Sequence, residues 1–321
     1  MISVAIVGGA GYTGGELIRL LLNHPFVELS SVVSESQAGK PVVSIHTDMI
    51  GDTDLTFSPK LEGRPEVIFL CTGHGKAKDF MAKTKVDKKI RIIDLSMDYR
   101  IDAPDHDFVY GLPELNRKKI KSSRHIANCG CFATAIQLAL LPLAKAKLLN
   151  HDIHVNAITG STGAGQALSD TLHFSWRTNN ISVYKPFTHQ HVPEIKQSLT
   201  QLYPEFVAPL NFIPVRGNFA RGIFATVYTN IDLDIDQIKK LYAKYYNDEP
   251  FVKMTEENPD LKQVINTNKC LLYLEKHQDK LLIISCLDNL LKGASGQAVQ
   301  NMNIMYGWPE DSGLKLKSVV Y

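Results

Sequence analysis

The sequence predicts an α/β chain in two parts: an N-terminal parallel sheet wound by βαβ units, then an α+β region. Three observations carry this reading. Short apolar runs alternate with helical stretches over the first 130 residues, a glycine-rich turn follows the first run, and after residue 153 the strand-like runs lengthen.

Each element has its own signal. "SVAIV" (3–7) is a continuous apolar run, as expected of a strand buried on both faces. Residues 14–23 follow, with Leu17, Leu20 and Leu21 at helical spacing. Segments 26–33, 66–71 and 90–96 read as further strands, and 72–85 as a glycine-flanked turn at His74 running into a helix. This rhythm implies parallel strands joined by right-handed crossovers. A strand "HIAN" (125–128) then meets a long apolar helix, 132–146. Beyond it, strands at 153–161, 222–231 and 280–288 are separated by helices near 193–203 and 235–246, which predicts an antiparallel or mixed sheet. Residues 293–305 read as helix again.

Composition narrows the function classes. With 321 residues, 44% hydrophobic and 21% charged, the chain is long enough for two cored domains. A formal charge of +2 argues against a nucleic-acid partner, which calls for a basic excess. No run approaches the roughly 18 apolar residues of a membrane span, so no membrane is expected. The short apolar N-terminus lacks a basic segment before it and reads as a strand, not a leader. Five scattered cysteines, an odd number, fit a reducing, cytoplasmic setting.

The first chemical motif is Gly8-x-x-Gly11-x-x-Gly14, between the first strand and its helix. A tight turn there brings bare amides, including those near Tyr12 and Thr13, toward a pyrophosphate at the helix N-terminus. At the end of the second strand an acidic group favours the ribose hydroxyl of NAD, whereas hydroxyls and cations favour a 2′-phosphate. Ser34, Ser36 and Lys40 stand there against Glu35, so chemistry alone leaves NAD and NADP open.

"NCGCFAT" (128–134) raises the second question. Zinc needs about four ligands, usually in two close pairs, and no second cysteine pair exists, so no metal is expected. Cys131 instead sits at a helix start, where the partial positive charge favours a reactive thiolate; the alternative is a buried structural cysteine. Asn128 and Thr134 lie within local hydrogen-bonding reach, and Cys129 is the bystander. A thiolate acting on an acyl group wants an acid–base partner, and "HQHVPEI" offers His189 and His191 with Glu194 following. Arg216 and Arg221 in "PVRGNFARGI" suit a carboxylate or phosphate of the substrate, or ordinary solvated salt bridges.

Together these motifs resemble the N-acetyl-γ-glutamyl-phosphate reductase family of arginine biosynthesis. The resemblance runs nearly end to end, through "GGAGYTGGEL", "AGK", "DLSMDYR", "YGLPEL", "NCGCFAT", "GSTGAG", "HQHVPEI", "RGIFATVY" and "DNLLKGASGQAVQNMNIMYG". It implies a Rossmann-type NADP-binding domain (1–130 and 290–321) and an α+β catalytic and dimerisation domain of the semialdehyde dehydrogenase type (131–289). The implied reaction is NADPH-dependent reduction of an N-acyl-glutamyl 5-phosphate to the 5-semialdehyde through a thioester on Cys131. By the family motifs His191 is the acid–base group, assisted by His189. Gly163 and Asn289 join the cofactor contacts, and Asn128, Glu194, Arg216 and Arg221 the substrate contacts. A homo-oligomer, dimer or tetramer, is implied by the same analogy.

The chain departs from the family pattern at four places. Cys129 stands where the family has proline, "TGHG" replaces L-P-H-G, and Glu35 replaces a common arginine after the second strand. Where many members read P-H-L-V-P-M before R-G-I, this chain reads "PVRGNFARGI", adding Arg216. That cation suggests an acyl group with its own carboxylate, as a succinyl group has. A lysine-pathway aminoadipyl phosphate and a non-catalytic nucleotide-binding regulator are the rival readings.

Overall fold

A computed structural model describes residues 1–73, 75–84 and 86–319; the turn expected at His74 lies outside the described residues. The chain forms two compact units, Met1–Cys129 with Ala294–Lys315, and Gly130–Gly293 with the tail from Leu316.

The first unit is a seven-stranded, wholly parallel sheet. Its strands are β1 (Ile2–Val7), β2 (Val27–Val33), β3 (Phe57–Ser58), β4 (Val67–Leu70), β5 (Arg91–Asp94), β6 (Val109–Gly111) and β7 (His125–Asn128). The spatial order is β3-β2-β1-β4-β5-β7-β6. Central strands are buried on both faces, which is why "VAIV" and "VIFL" carry no polar alternation. Helices α1 (Tyr12–Leu22), α2 (Lys76–Lys83) and α3 (Pro113–Ser122) make the crossovers. Strand order reverses between β1 and β4, the place where doubly wound sheets bind ligands beyond their strand ends.

The second unit opens with α4 (Cys131–Lys145), a helix buried nearly all round. Its sheet comprises β8 (Ile153–Thr159), β9 (Ser182–Val183), β10 (Leu210–Arg216), β11 (Ile223–Asn230), β12 (Val252–Met254), β13 (Cys270–His277) and β14 (Lys280–Leu287). The order is β12-β13-β14-β11-β8-β10-β9, mixed as expected: β8 and β10 are parallel, whereas β11 is antiparallel to both β8 and β14. One-turn helix α5 (Phe174–Arg177), α6 (Val192–Leu202) and α7 (Ile235–Tyr246) complete this unit. Pro142 inside α4 has no N–H for the Leu138 carbonyl, and the Tyr246 hydroxyl of α7 donates to that carbonyl instead.

The last helix, α8 (Ser295–Tyr306), belongs to the first unit, so the segment 290–321 divides. Residues 290–293 stay with the second unit because the Leu290 and Leu291 amides donate to the Asp288 carboxylate and the Gly293 amide to its carbonyl. Among the described residues no helix is long and apolar enough to cross a membrane.

Candidate active site

Cys131 is the first residue of α4, behind an extended cap at Gly130 (φ −72°, ψ 151°). Its sulfur therefore shares the helix end where unsatisfied amides concentrate positive charge. Thr134 closes the first turn, donating both its amide and its hydroxyl to the Gly130 carbonyl. Gly293 backs the cysteine: a Cβ there would lie 2.8 Å from Cys131 Cβ. All five cysteines are free thiols. Burial pushes the Cys71 thiol up to about 12 and the Cys286 thiol higher still, which leaves both as weak nucleophiles at neutral pH.

The two histidines lie at the start of α6, both buried, their ring centroids 4.6 Å apart. Phe132, next to Cys131, meets both edge-on, at 5.5 Å and 6.3 Å. The His191 amide donates to His189 Nδ1 at 3.2 Å, so that nitrogen is an acceptor and the proton belongs on Nε2. Burial first, then the charges of His191 and Lys185, drive the His189 pKa down to about 3. His189 is thus neutral at working pH.

Glu194 is 2% exposed. One oxygen accepts from the Gly130 amide at 3.0 Å, and the other lies 3.8 Å from His191 Nε2. Its two oxygens thus face two helix starts, those of α4 and α6. Sequence reasoning missed Tyr184, whose ring is 5.7 Å from His189. Burial, then the charge of Cys131, pushes its hydroxyl well above the usual range. Nothing in its sequence surroundings distinguishes it from an edge-strand aromatic.

Arg216 ends β10 with its guanidinium 4.6 Å over the Tyr184 ring. Its Nε is buried with no hydrogen-bond partner, and among the described residues no carboxylate pairs with it. Arg177, also missed, is buried and fixed by the Thr171, Asn180 and Arg216 carbonyls. Arg221 has a protein partner: Nε and Nη2 lie 3.1 Å and 3.0 Å from Asp288 Oδ2. Asn128, in the first unit, is likewise internal. Its amide nitrogen donates to the Ala294 carbonyl, its oxygen accepts from Asn301, and its carbonyl accepts from Arg100 Nε. Both side chains expected at the substrate thus also have protein partners.

The glycine loop fits a dinucleotide on steric grounds. Gly8 has φ +89°, and a Cβ there would meet the Cys71 carbonyl at 2.6 Å. One on Gly14 would strike the Gly8 carbonyl, also at 2.6 Å. Gly11 caps α1 with no side-chain hydrogen bond to the helix start, so the amides around Tyr12 and Thr13 have no side-chain cap. Beyond β2, Ser34 is buried, whereas Glu35, Ser36 and Lys40 are exposed around a single 3-10 turn, Glu35–Gln37. Gly163 and Asn289 lie in the second unit. The Asn289 amide is spent on the Gly222 amide and the Thr162 hydroxyl, tying the 3-10 turn Ser161–Ala164 to the start of β11. Among the described residues no three histidine, cysteine or acidic side chains converge on a metal site.

Residues 3–123 match the semialdehyde dehydrogenase NAD-binding domain, and residues 131–289 the semialdehyde dehydrogenase dimerisation domain. Aspartate semialdehyde dehydrogenase II of Vibrio cholerae superposes with a TM-score of 0.74 at 16% identity, covering 96% of this chain and 98% of that one. The Candida albicans enzyme gives 0.72 at 14%, with 95% and 99% covered. Those likenesses show the shared fold. Far higher identity links the chain to N-acetyl-γ-glutamyl-phosphate reductases of Parabacteroides distasonis (60% over 99% of both chains) and Phocaeicola vulgatus (59%, same coverage). Agreement at that level along the whole length means that this chain belongs to the N-acetyl-γ-glutamyl-phosphate reductase family.

Proposed function

We propose that the protein reduces an N-acyl-L-glutamyl 5-phosphate to the N-acyl-L-glutamate 5-semialdehyde in arginine biosynthesis, with NADPH as reductant. The observation that carries this is Cys131 at a buried helix start, served by a histidine–glutamate pair on the neighbouring helix. The thiolate adds to the acyl carbonyl, the C–S bond forms and phosphate leaves, giving a thioester. NADPH, when bound, supplies the hydride that takes the thioester to the aldehyde level. First-turn amides of α4 are placed to stabilise the oxyanion on the former carbonyl, and His191 protonates it and then takes that proton back as the aldehyde leaves. Gly130's own amide is spent on Glu194, so those donors come from later in the turn. Gly8, Gly11, Tyr12, Thr13 and Gly14 would hold the pyrophosphate, with Ser34, Ser36 and Lys40 toward a 2′-phosphate. We assign the nucleotide role to residues 1–130 and 290–321 and catalysis to 131–289; the two compact units support that division except at Gly130, at 290–293 and in the tail from Leu316, which group with the second unit.

One observation favours a second reading of the acyl group. A buried Arg216 Nε without a partner, beside Tyr184 and Arg177, is a costly arrangement for the free protein. A carboxylate-bearing acyl group, such as succinyl, would satisfy it bidentately.

Phosphate-dependent reduction of NADP⁺ by the semialdehyde, run with N-acetyl and N-succinyl forms, tests both readings. Cys131→Ser is expected to abolish turnover, and Arg216→Leu to weaken the succinyl form selectively. Full activity in the serine variant sinks the first reading; clear acetyl preference sinks the second.

We further infer a homo-oligomer, dimer or tetramer, in a reducing cytoplasm. The second sheet packs α4 on one face and leaves Phe224, Tyr228, Leu271, Tyr273 and Leu282 partly exposed on the other. A Tyr228→Glu variant that sediments like the wild type would count against that face.

A further inference from the structure

Resting on the reaction proposed above, we infer that Glu194 is a positioning residue that couples the nucleophile's helix to the acid–base histidine. Its carboxylate stands at two helix N-termini at once. It belongs to the first turn of α6, and it takes the Gly130 amide that immediately precedes Cys131 in α4. From that post its second oxygen faces His191 Nε2 at ion-pair distance, 3.8 Å.

The consequence is chemical. His191 must be protonated to deliver a proton to the oxyanion on the former carbonyl carbon, and a buried imidazole resists charging. The groups facing this site are His189 and Glu194 from its own segment, Cys131 from α4, and Tyr184, Lys185 and Arg216 around the edge of the sheet. His189 is held neutral, and Lys185 and Arg216 are cations. That leaves the Glu194 carboxylate as the permanent negative charge that favours a protonated His191. By gripping the Gly130 amide, the same group fixes the register of α4 against α6, and so the place of the sulfur relative to the imidazole.

Glu194→Gln separates charge from shape. Its amide oxygen can still accept from Gly130, so the fold and KM are expected to hold within about threefold, while kcat falls at least about tenfold. The alkaline limb of the kcat profile is expected to move down by about one pH unit, since removing the carboxylate lowers the pKa of its neighbour. Glu194→Ala, which also releases Gly130, adds a loss of thermal stability. The pH dependence of Cys131 alkylation by iodoacetamide, which follows the thiolate fraction, is expected to shift as well without any substrate, because the charge state of the coupled His191 changes. An unshifted profile in both measurements, or a loss confined to KM, overturns the inference. Because the alkylation arm needs no acyl phosphate, it stands or falls separately from the reaction: absent turnover with a shifted alkylation profile would sink the reaction alone.

Discussion

Gly293→Ala offers the sharpest test of how the thiol is held. The backbone at Gly293 lies outside the left-handed region, so the substitution introduces no φ penalty and its effect is steric. The new methyl would sit 2.7 Å from the Asn289 carbonyl oxygen, 2.8 Å from Asn289 Cα and 2.8 Å from Cys131 Cβ. The last contact is about 0.6 Å short of the 3.4 Å where ordinary van der Waals contact begins. Asn289 is pinned by the Gly222 amide and the Thr162 hydroxyl, and its carbonyl is backbone. Cys131 Cβ is the side-chain atom among these three contacts, so Cys131 is the group that yields. Overpacking of this kind costs about 1–3 kcal/mol of stability, and displacing a reacting atom by up to 1 Å costs about 10²-fold in rate. The assay is kcat for semialdehyde oxidation, paired with a thermal melt and with the iodoacetamide rate. The expected pattern is a modest melt shift with kcat and alkylation both reduced. A variant with kcat within twofold of wild type would show that Gly293 does not set the position of the sulfur.

Four further outcomes follow from buried groups of the fold. His191→Asn is expected to lose more than about 10²-fold in kcat. His189→Asn should lose much less and should be destabilised instead, because His189 is a neutral acceptor among Phe132, Tyr184 and Phe212. Its folded pKa of about 3 lies below the unfolded 6.5, so the stability it confers is complete above pH 6.5 and lost as pH falls toward 3, readable as a falling urea midpoint. Asp94 has the opposite sign. Burial holds its carboxyl at about 6 against 3.8, so its favourable contribution is present below pH 3.8 and lost as pH rises through 6; Asp94→Asn should therefore remove that slope. Tyr246→Phe leaves the Leu138 carbonyl without its donor and should cost about 1–2 kcal/mol, measured by denaturant unfolding.

Much of this architecture was legible in the chain. Continuous apolar runs marked the parallel strands because both faces of that sheet are covered, and the helix read near 235–246 spans Ile235–Tyr246, started by a capping box of Asp234 and Gln237. Strands β3, β6, β9, β10, β12 and β13 were missed. Four of these are two or three residues long, carry no periodicity and exist only through their neighbours, whereas β10 and β13 run seven and eight residues. The nucleophile was legible from its helix start. The partners of polar side chains were not. Asn128, Glu194 and Arg221 look like substrate ligands in sequence, yet each finds a protein partner set by segments far along the chain: Asn301, Gly130 and Asp288. Arg177 and Tyr184 were invisible for the converse reason, since only the approach of β9 to β10 brings them beside Arg216.

Cys129 shows how a departure from the family pattern is absorbed. Proline at that position would restrict the backbone just before the Gly130 cap and remove an N–H. A cysteine gives up that restriction, and the sequence alone suggests a looser turn. In the fold its thiol is 1% exposed, donates to the Gly111 carbonyl at 3.3 Å and accepts from Gln297 Nε2 at 3.1 Å. Constraint once covalent in the ring is here supplied by two hydrogen bonds within the first unit, on the residue that precedes the cap. Such bonds are individually weak, and sulfur is a poor partner, so the replacement is softer than proline. Cys129→Pro should therefore be tolerated and raise stability by about 0.4–1 kcal/mol if the φ at this residue suits the ring. A drop in stability with unchanged kcat would instead mean that the Gln297 contact, not the backbone restriction, holds the turn.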